Sequence, residues 1–381
     1  MNGRGSRTGV LGKQRVWWVM TVSRAKRVMS RAEGVDAVVI VNSQEPYLDP
    51  TFRYLTDNQS GLFEGCLLIL HPDGSMDAVV SRMEEASARR GEGRVHTYQT
   101  LKEREALITE LLQGCRRIGI NSGFITVRNA DSLQTLLPSS ELVDASEAIS
   151  ATRSIKDDRE ISRIREACRI SSMVADRIPS LLHEGVTEME VRNQIDIMMR
   201  DGGGHDNAFH TIVAFGEGAA EPHHDPSQRA LRKGDVALFD FGCRFEGYCS
   251  DLTRTVFFGQ PDPRLAKAYA TVSKAKQEGM SLIRAGAKAS DVDAQARKVI
   301  DDSEFKGLFT HSFGHEIGMS VHEGGSLSSR SALILRAGMV VSSEPGIYID
   351  GLGGIRIEDT VLVLEDGCEP LTDFNQSMTV I

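Results

Sequence analysis

The sequence predicts an α+β protein, with an α/β amino-terminal domain followed by a larger domain built on an internal duplication. Three observations carry this expectation. Short apolar runs alternate with stretches of helical spacing from about residue 22 to 153, the texture of an α/β domain with a mixed sheet. From Asp157 a long charged segment with a single apolar stripe follows. Beyond it, 181–194 matches 282–295 at a constant offset of 101, keeping glycine at 185 and 286 and valine at 191 and 292. A length of 381 residues agrees with two or three domains of roughly 100–200 residues each.

Taken in order, the first 32 residues carry eight basic side chains (Arg4, Arg7, Lys13, Arg15, Arg24, Lys26, Arg27 and Arg31) and no acidic one. Residues 1–20 lack apolar periodicity and Met20 offers a second start, so they are expected to be a disordered or misassigned extension. In the 21–153 domain, 37–41, 67–70, 78–80, 117–120 and 142–143 are expected strands, and 103–112 and 128–137 expected helices. The boundary is placed near Ser154, with the second domain occupying 154–381. Its charged helix is expected to run from Asp157 to about residue 184, burying Ile161, Ile164, Val174, Ile178 and Leu181 and stopping at Gly185. Thr187 and Glu190 form a capping box that opens the next helix.

Composition narrows the function. Hydrophobic residues at 40% and charged residues at 25% are those of a folded globular chain. Forty-four basic against 53 acidic residues give a net charge of -9, which argues against a surface that tracks phosphates, so no nucleic-acid partner is expected. No run approaches the ~18 apolar residues of a membrane span, and no membrane partner is expected. Six cysteines without a CxxC pair read as reduced thiols, consistent with a cytoplasmic protein.

The chemistry lies in two acidic hairpins. In 236–256 two strand-like runs flank a turn near Phe245 and Glu246; that centre sets Asp240 directly opposite Asp251, with Cβ atoms about 4.5–5.5 Å apart. In 340–363 the turn centres on Gly351, so Glu344 faces Glu358, and Arg356 shares the face of Glu358 by strand alternation. Like charges so close need a cation between them or a proton on one. Between the hairpins, 311–323 holds three histidines, His311, His315 and His322. The HExxH zinc pattern fails there, because Met319 stands four residues after His315 and Gly314 and Gly318 oppose a helix. Four carboxylates and one neutral imidazole balance two divalent cations, and oxygen-rich ligation suits Mn, Co, Fe or Zn. Two such ions about 3.5–4 Å apart activate water and polarise a carbonyl, which points to a hydrolase.

Segments 240–255, 314–322, 343–349 and 354–360 resemble the pita-bread metallopeptidases, in the branch of prolidase and aminopeptidase P, over about 155–381. The resemblance implies that Asp251 and Glu358 bridge two metals, that Asp240 completes one, and that His315 with Glu344 completes the other. It also implies that His223 and His322 hold substrate and stabilise the tetrahedral intermediate, that Glu344 shuttles the proton, and that Arg356 lies beside the site. Manganese or cobalt is the expected pair of ions, with zinc or iron as alternatives. The expected reaction is hydrolysis of the Xaa-Pro bond of dipeptides or short peptides, with a dipeptidase favoured over an aminopeptidase P for longer Xaa-Pro-Yaa peptides; a non-catalytic binding protein on the same fold is the reading from another class. More weakly, 52–56 resembles the creatinase-type amino-terminal domain, which implies a homodimer. Asp57 and Glu316 stand where relatives usually carry glycine, and Glu316 is expected to add charge beside the site. His210, His224 and His311, with Cys243 and Cys249, are expected to serve packing or secondary contacts.

Overall fold

A computed structural model describes residues 23–372 and 377–381; the expected 1–20 extension lies outside the described residues. The first domain is a six-stranded mixed sheet, formed by β1 (Ala37–Val41), β2 (Leu67–Leu70), β3 (Met76–Ser81), β4 (Arg94–Tyr98), β5 (Arg117–Ile120) and β6 (Glu141–Asp144), in the order β4-β3-β2-β1-β5-β6. Strand β1, all apolar and buried on both faces, is central, antiparallel to β2 and parallel to β5. Six helices surround it: α1 (Arg24–Met29), α2 (Pro50–Thr56), α3 (Glu85–Ala88), α4 (Leu101–Leu111), α5 (Val127–Leu136) and α6 (Ser146–Ser154). Helix α2 starts where the Asp49 side chain accepts from the Thr51 amide and Pro50 takes the first turn, and it ends at Asp57 in the left-handed region (φ 50°). That conformation explains why glycine suits position 57. Asp57 is held there by Arg163, whose Nη1 lies 2.5 Å from Oδ1.

Helix α7 (Asp158–Ala175) opens the second domain with a full capping box between Asp157 and Glu160. It is shorter than the sequence suggests. Pro179, which has no amide hydrogen, falls in a separate 3-10 turn (Ile178–Leu181), and the chain is not α-helical up to residue 184. Helix α8 (Glu188–Asp201) begins with the expected Thr187–Glu190 box. The duplication is visible in backbone detail. Gly185 and Gly286 both have positive φ and donate to the carbonyls of Leu231 and Leu335. Each then leads into a helix, α8 in the first copy and α10 (Ala289–Asp301) in the second, the latter preceded by α9 (Pro263–Met280).

Among the described residues the strands of this domain are β7 (Asp206–Asn207), β8 (Ile212–Phe215), β9 (Val236–Phe241), β10 (Cys243–Phe245), β11 (Tyr248–Cys249), β12 (Leu252–Phe257), β13 (Gly314–His315), β14 (Ser326–Leu327), β15 (Val340–Ser343), β16 (Gly346–Ile349), β17 (Gly353–Arg356), β18 (Asp359–Val363), β19 (Cys368–Pro370) and β20 (Thr379–Val380). The first hairpin corrects the expected register. Its two-residue turn is Glu246-Gly247, both at positive φ, so Phe245 pairs with Tyr248 and Asp240 lies opposite Thr253, not Asp251. Moving a turn by one residue moves partners by two, which preserves the face: Asp251 becomes a diagonal neighbour of Asp240. The second hairpin keeps the expected register, with Ser343 opposite Asp359 on one side and Gly346 opposite Arg356 on the other. Its ladder parts between them, where the Glu344 amide donates to Phe313 O and the Glu358 amide to Thr253 O.

One apolar cluster crosses the domain junction, joining Phe52, Tyr54 and Phe63 to Ile164, Cys168, Tyr248, Ile317 and Val340. Cys243 and Cys249 are buried in the first hairpin, where burial pushes both thiols up to about 12, as expected of packing residues. Among the described residues no helix is long and apolar enough to cross a membrane.

Candidate metal centre

Both hairpins deliver their acids to the floor of one cavity of about 1060 Å³. Asp240 comes from β9, Asp251 from just before β12, Glu344 from the break between β15 and β16, and Glu358 from the break between β17 and β18. His315, on β13, completes the set. Its Nε2 lies 3.2 Å from Glu344 Oε1 and 3.4 Å from Asp251 Oδ2, while its amide donates to Ser342 Oγ. The ligand atoms of Asp251, His315 and Glu358 all fall within 4.8 Å of one another.

The duplication builds the support as well as the candidate ligands. Thr253 and Thr360 each stand two residues after a hairpin's second acid. Thr253 Oγ1 donates to Glu358 Oε2 at 2.6 Å, and Thr360 Oγ1 accepts from the Asp251 amide and donates to its carbonyl. Arg356 is buried and reaches Asp240 Oδ2 at 2.5 Å, the Tyr348 hydroxyl at 2.8 Å and Thr253 Oγ1 at 3.0 Å.

Electrostatics favour a cation here. Burial pushes Asp251 up to about 7, aided by the charges of Asp240 and Glu344 and opposed by His315. Burial and the charges of Asp251, Glu344 and Asp240 likewise raise Glu358 well above the carboxylate range. Glu344 goes the other way: burial raises it, but His315, together with His311 and Arg356, outweighs that and holds it down to about 2. Two buried carboxylate oxygens, Asp240 Oδ1 and Glu358 Oε1, have no hydrogen-bond partner among the described residues. Unpaired buried oxygens of this kind are costly without a ligand, and a hard divalent ion is the ligand such donors fit.

The other expected residues are distributed around this floor. His223, His322 and Arg356 line the cavity. The His322 ring packs edge-on against His315 with centroids 4.3 Å apart. Glu316 is placed differently from expectation. Adjacent residues of an extended segment point to opposite sides, so Glu316 turns away from His315's side and accepts from Ser154 Oγ at 3.0 Å near the domain junction. His224 also lines the cavity but is tied to the buried Glu188, 3.1 Å away, a secondary contact as expected.

His311 carries the same expectation, packing or secondary contacts, which names no place in the cavity. It lines the cavity, its Nε2 lies 2.8 Å from the Tyr348 hydroxyl, and its Nδ1 lies 3.9 Å from Glu344 Oε2. The cluster of three histidines marked the segment, but period-two reasoning could not isolate His311, because Phe313 two residues on is wholly buried in the core.

Comparison with known proteins gives the family. Residues 162–365 match metallopeptidase family M24, and residues 22–155 match the creatinase/prolidase amino-terminal domain. The chain belongs to metallopeptidase family M24. Its first 43%-identical relative, an uncharacterised peptidase of Staphylococcus saprophyticus, aligns over 197 residues, which are 52% of this chain and 56% of the relative, so the match spans about half the length of each. Among solved structures the M24 chain is similar to a Xaa-Pro dipeptidase from Bacillus anthracis, with a TM-score of 0.87 and 29% identity over 94% of this chain and 99% of that one. It is similar also to an X-Pro aminopeptidase from Thermotoga maritima, with a TM-score of 0.85 and 28% identity over 93% and 99% of the two chains. The prolidase from Pyrococcus horikoshii gives 0.85 and 28% over 92% and 98%. These similarities extend through both domains and agree with a pita-bread domain behind a creatinase-type one.

Proposed function

We propose that the protein is a dinuclear metallopeptidase that hydrolyses the bond between an amino-terminal residue and a following proline. The observation that carries this reading is the convergence of four carboxylates and one imidazole, two of the carboxylates with unpartnered buried oxygens among the described residues, in a cavity with room for a peptide. Asp240, Asp251, His315, Glu344 and Glu358 would hold the two ions, with Asp251 and Glu358 shared between them. Manganese or cobalt is the proposed pair, with zinc or iron as alternatives. When bound, such ions supply a polarised substrate carbonyl and an acidified water. The similarity to Xaa-Pro dipeptidase and X-Pro aminopeptidase structures supports the preference for proline.

The chain's own residues do the remaining work. Glu344 Oε1 is engaged by Ser342 and His315, which leaves Oε2 to take a proton from the attacking water and return it to the leaving amine. Burial and the neighbouring His315 hold His322 below the usual histidine range, so it is a neutral donor toward the charge that develops on the carbonyl oxygen. His223 orients the bound peptide. Arg356 and Thr253 immobilise Asp240 and Glu358, sparing reorganisation during the reaction.

A specific observation favours peptides that continue beyond proline over dipeptides. A dipeptide presents its carboxylate close to the scissile bond, but among the described residues the cavity lining contains no lysine and one arginine, Arg356, which is committed to Asp240 and Tyr348. Arg53, the cation nearest the amino-terminal motif, spends its guanidinium on the carbonyls of Gln59 and Gly61. Glu221 and Asp225 also line the cavity and add negative charge. A homodimer in the cytoplasm completes the proposal, and a second copy would be the source of a cation if dipeptides prove to be the substrate. The test is proline-bond cleavage across matched Xaa-Pro and Xaa-Pro-Yaa peptides after chelation and after restoring Mn, Co or Zn. Absence of cleavage with every metal would overturn the reading.

A further inference from the structure

Two His-Glu dipeptides, His315-Glu316 and His322-Glu323, bound the loop that forms one wall of the cavity. In each the imidazole lines the cavity, while the carboxylate is engaged at the domain junction. Glu323 Oε1 accepts from Arg153 Nε at 2.6 Å, with side chains only 3% and 6% exposed. Its Oε2 accepts from the Ser320 amide at 2.9 Å, and its own amide donates to Glu316 O at 2.9 Å. Glu316 Oε1 accepts from Ser154 Oγ, and Lys156 Nζ donates to Ser154 O at 3.0 Å. Two glycines make room for these carboxylates: a Cβ at Gly318 would come within 2.2 Å of Glu323 Oε2, and one at Gly324 within 2.5 Å of Glu316 Oε2.

Arg153 belongs to α6, the last helix of the first domain, and its Nη1 donates to Thr51 Oγ1 at 3.1 Å on α2. The anchor of the loop therefore lies in the amino-terminal domain. Meanwhile the His322 ring, among the described residues, has the edge-on contact with His315 and no hydrogen bond within the chain. Its position is set by its backbone, which runs directly into Glu323. A buried Arg-Glu pair adds little net stability over an apolar pair of the same shape. Its placement, one residue from a cavity histidine and across two domains, fits orientation better than stability.

We propose that Arg153 is a positioning residue that, through Glu323, fixes the backbone presenting His322 to the substrate, so that the amino-terminal domain sets the geometry of the active site. The kinetic part of this inference rests on the peptidase reading above; the placement of His322 does not. The test compares Arg153→Gln, Glu323→Gln and Arg153→Lys in the full chain, each with and without His322→Ala. Arg153→Gln should lower kcat by about 10- to 100-fold with KM little changed and metal content intact, and Arg153→Lys should recover part of the loss. In the His322→Ala background the same substitution should change kcat by less than about twofold, because the two residues act as one unit. Equal losses in both backgrounds would overturn the proposal. A second measurement needs no turnover: in NMR spectra of histidine-labelled protein, the His322 imidazole signal, assigned by its loss in His322→Ala, should shift in Arg153→Gln while the signals of His71 and His96 stay in place. An unmoved His322 signal would overturn the proposal, whereas a shifted signal in a chain that cleaves no Xaa-Pro peptide would overturn only the peptidase reading. If Arg153→Gln fails to fold, Glu323→Gln and Arg153→Lys carry the same comparisons.

Discussion

In the proposed site Asp251 and Glu358 are each shared by both ions, so replacing either with a neutral side chain removes a ligand from both. Asp251→Ala and Glu358→Ala should therefore bring bound metal well below two ions per chain by plasma emission spectrometry and reduce turnover to background, with far-UV circular dichroism unchanged. His322→Ala should behave differently: kcat and kcat/KM should fall together by about 10²–10³-fold with metal content intact, as for the loss of one donor to a developing oxyanion. Loss of metal in that variant would make His322 a ligand instead. The acids were legible in the sequence because a hairpin fixes which residues share a face, and an error of one residue in the turn centre left Asp240 and Asp251 on the same face. What a face argument does not give is direction within an irregular segment. Glu316 was expected to add charge beside the site and instead faces Ser154, and for His311 the expectation of packing or secondary contacts named no place in the cavity it lines.

Elements carry two further predictions. Asp57 closes α2 in the left-handed region, where a side chain other than glycine is strained, and its carboxylate offsets that cost through Arg163 and Arg24. Asp57→Ala keeps the strain and loses the ion pairs, whereas Asp57→Gly loses the pairs but relieves the strain, so the alanine variant should be less stable than the glycine variant by about 1 kcal/mol in denaturant unfolding. At the start of α7, burial pushes the Glu160 carboxyl from 4.5 up to about 7, with Tyr248 OH hydrogen-bonded to its Oε1. A carboxyl whose folded value is raised stabilises the fold fully below its unfolded value and ceases to do so as pH rises through the folded one. Wild-type stability should thus decline by about 1–3 kcal/mol from this group between pH 4.5 and 7, and Glu160→Gln should flatten that slope. An unchanged slope would show that Glu160 is ionised in the fold. Strands such as β1, β2 and β5 were readable because they are short, apolar and buried. Strand β4, with no fully buried residue, and the brief helices α1 and α3 gave no comparable periodicity, and the length of α7 was overestimated because an apolar stripe continues past the point where Pro179 interrupts the hydrogen bonding.

Across the whole molecule, the duplicated domain carries the five proposed ligands, and the first domain reaches the loop of His315 and His322 through Arg153 and Glu323. The repeat at 181 and 282 announced the pseudo-symmetry, since glycine stops and helix starts are local signals; the Arg153–Glu323 contact, which joins residues 170 apart in sequence, had no local signature. Among the described residues the cavity lining supplies no unpaired lysine or arginine for a dipeptide carboxylate, so kcat/KM for Xaa-Pro-Yaa should exceed that for the matched Xaa-Pro by about tenfold or more, the worth of a charged contact the dipeptide would need. The reverse ranking would place a cation from elsewhere in the assembly at the mouth of the site. The central claim, a two-ion site that cleaves before proline, is tested most directly by titrating Mn into exhaustively chelated enzyme while following hydrolysis of an Xaa-Pro-Yaa peptide. The expected result is no turnover at the start and a rise that levels off at two equivalents per chain; turnover that persists after complete chelation would contradict it.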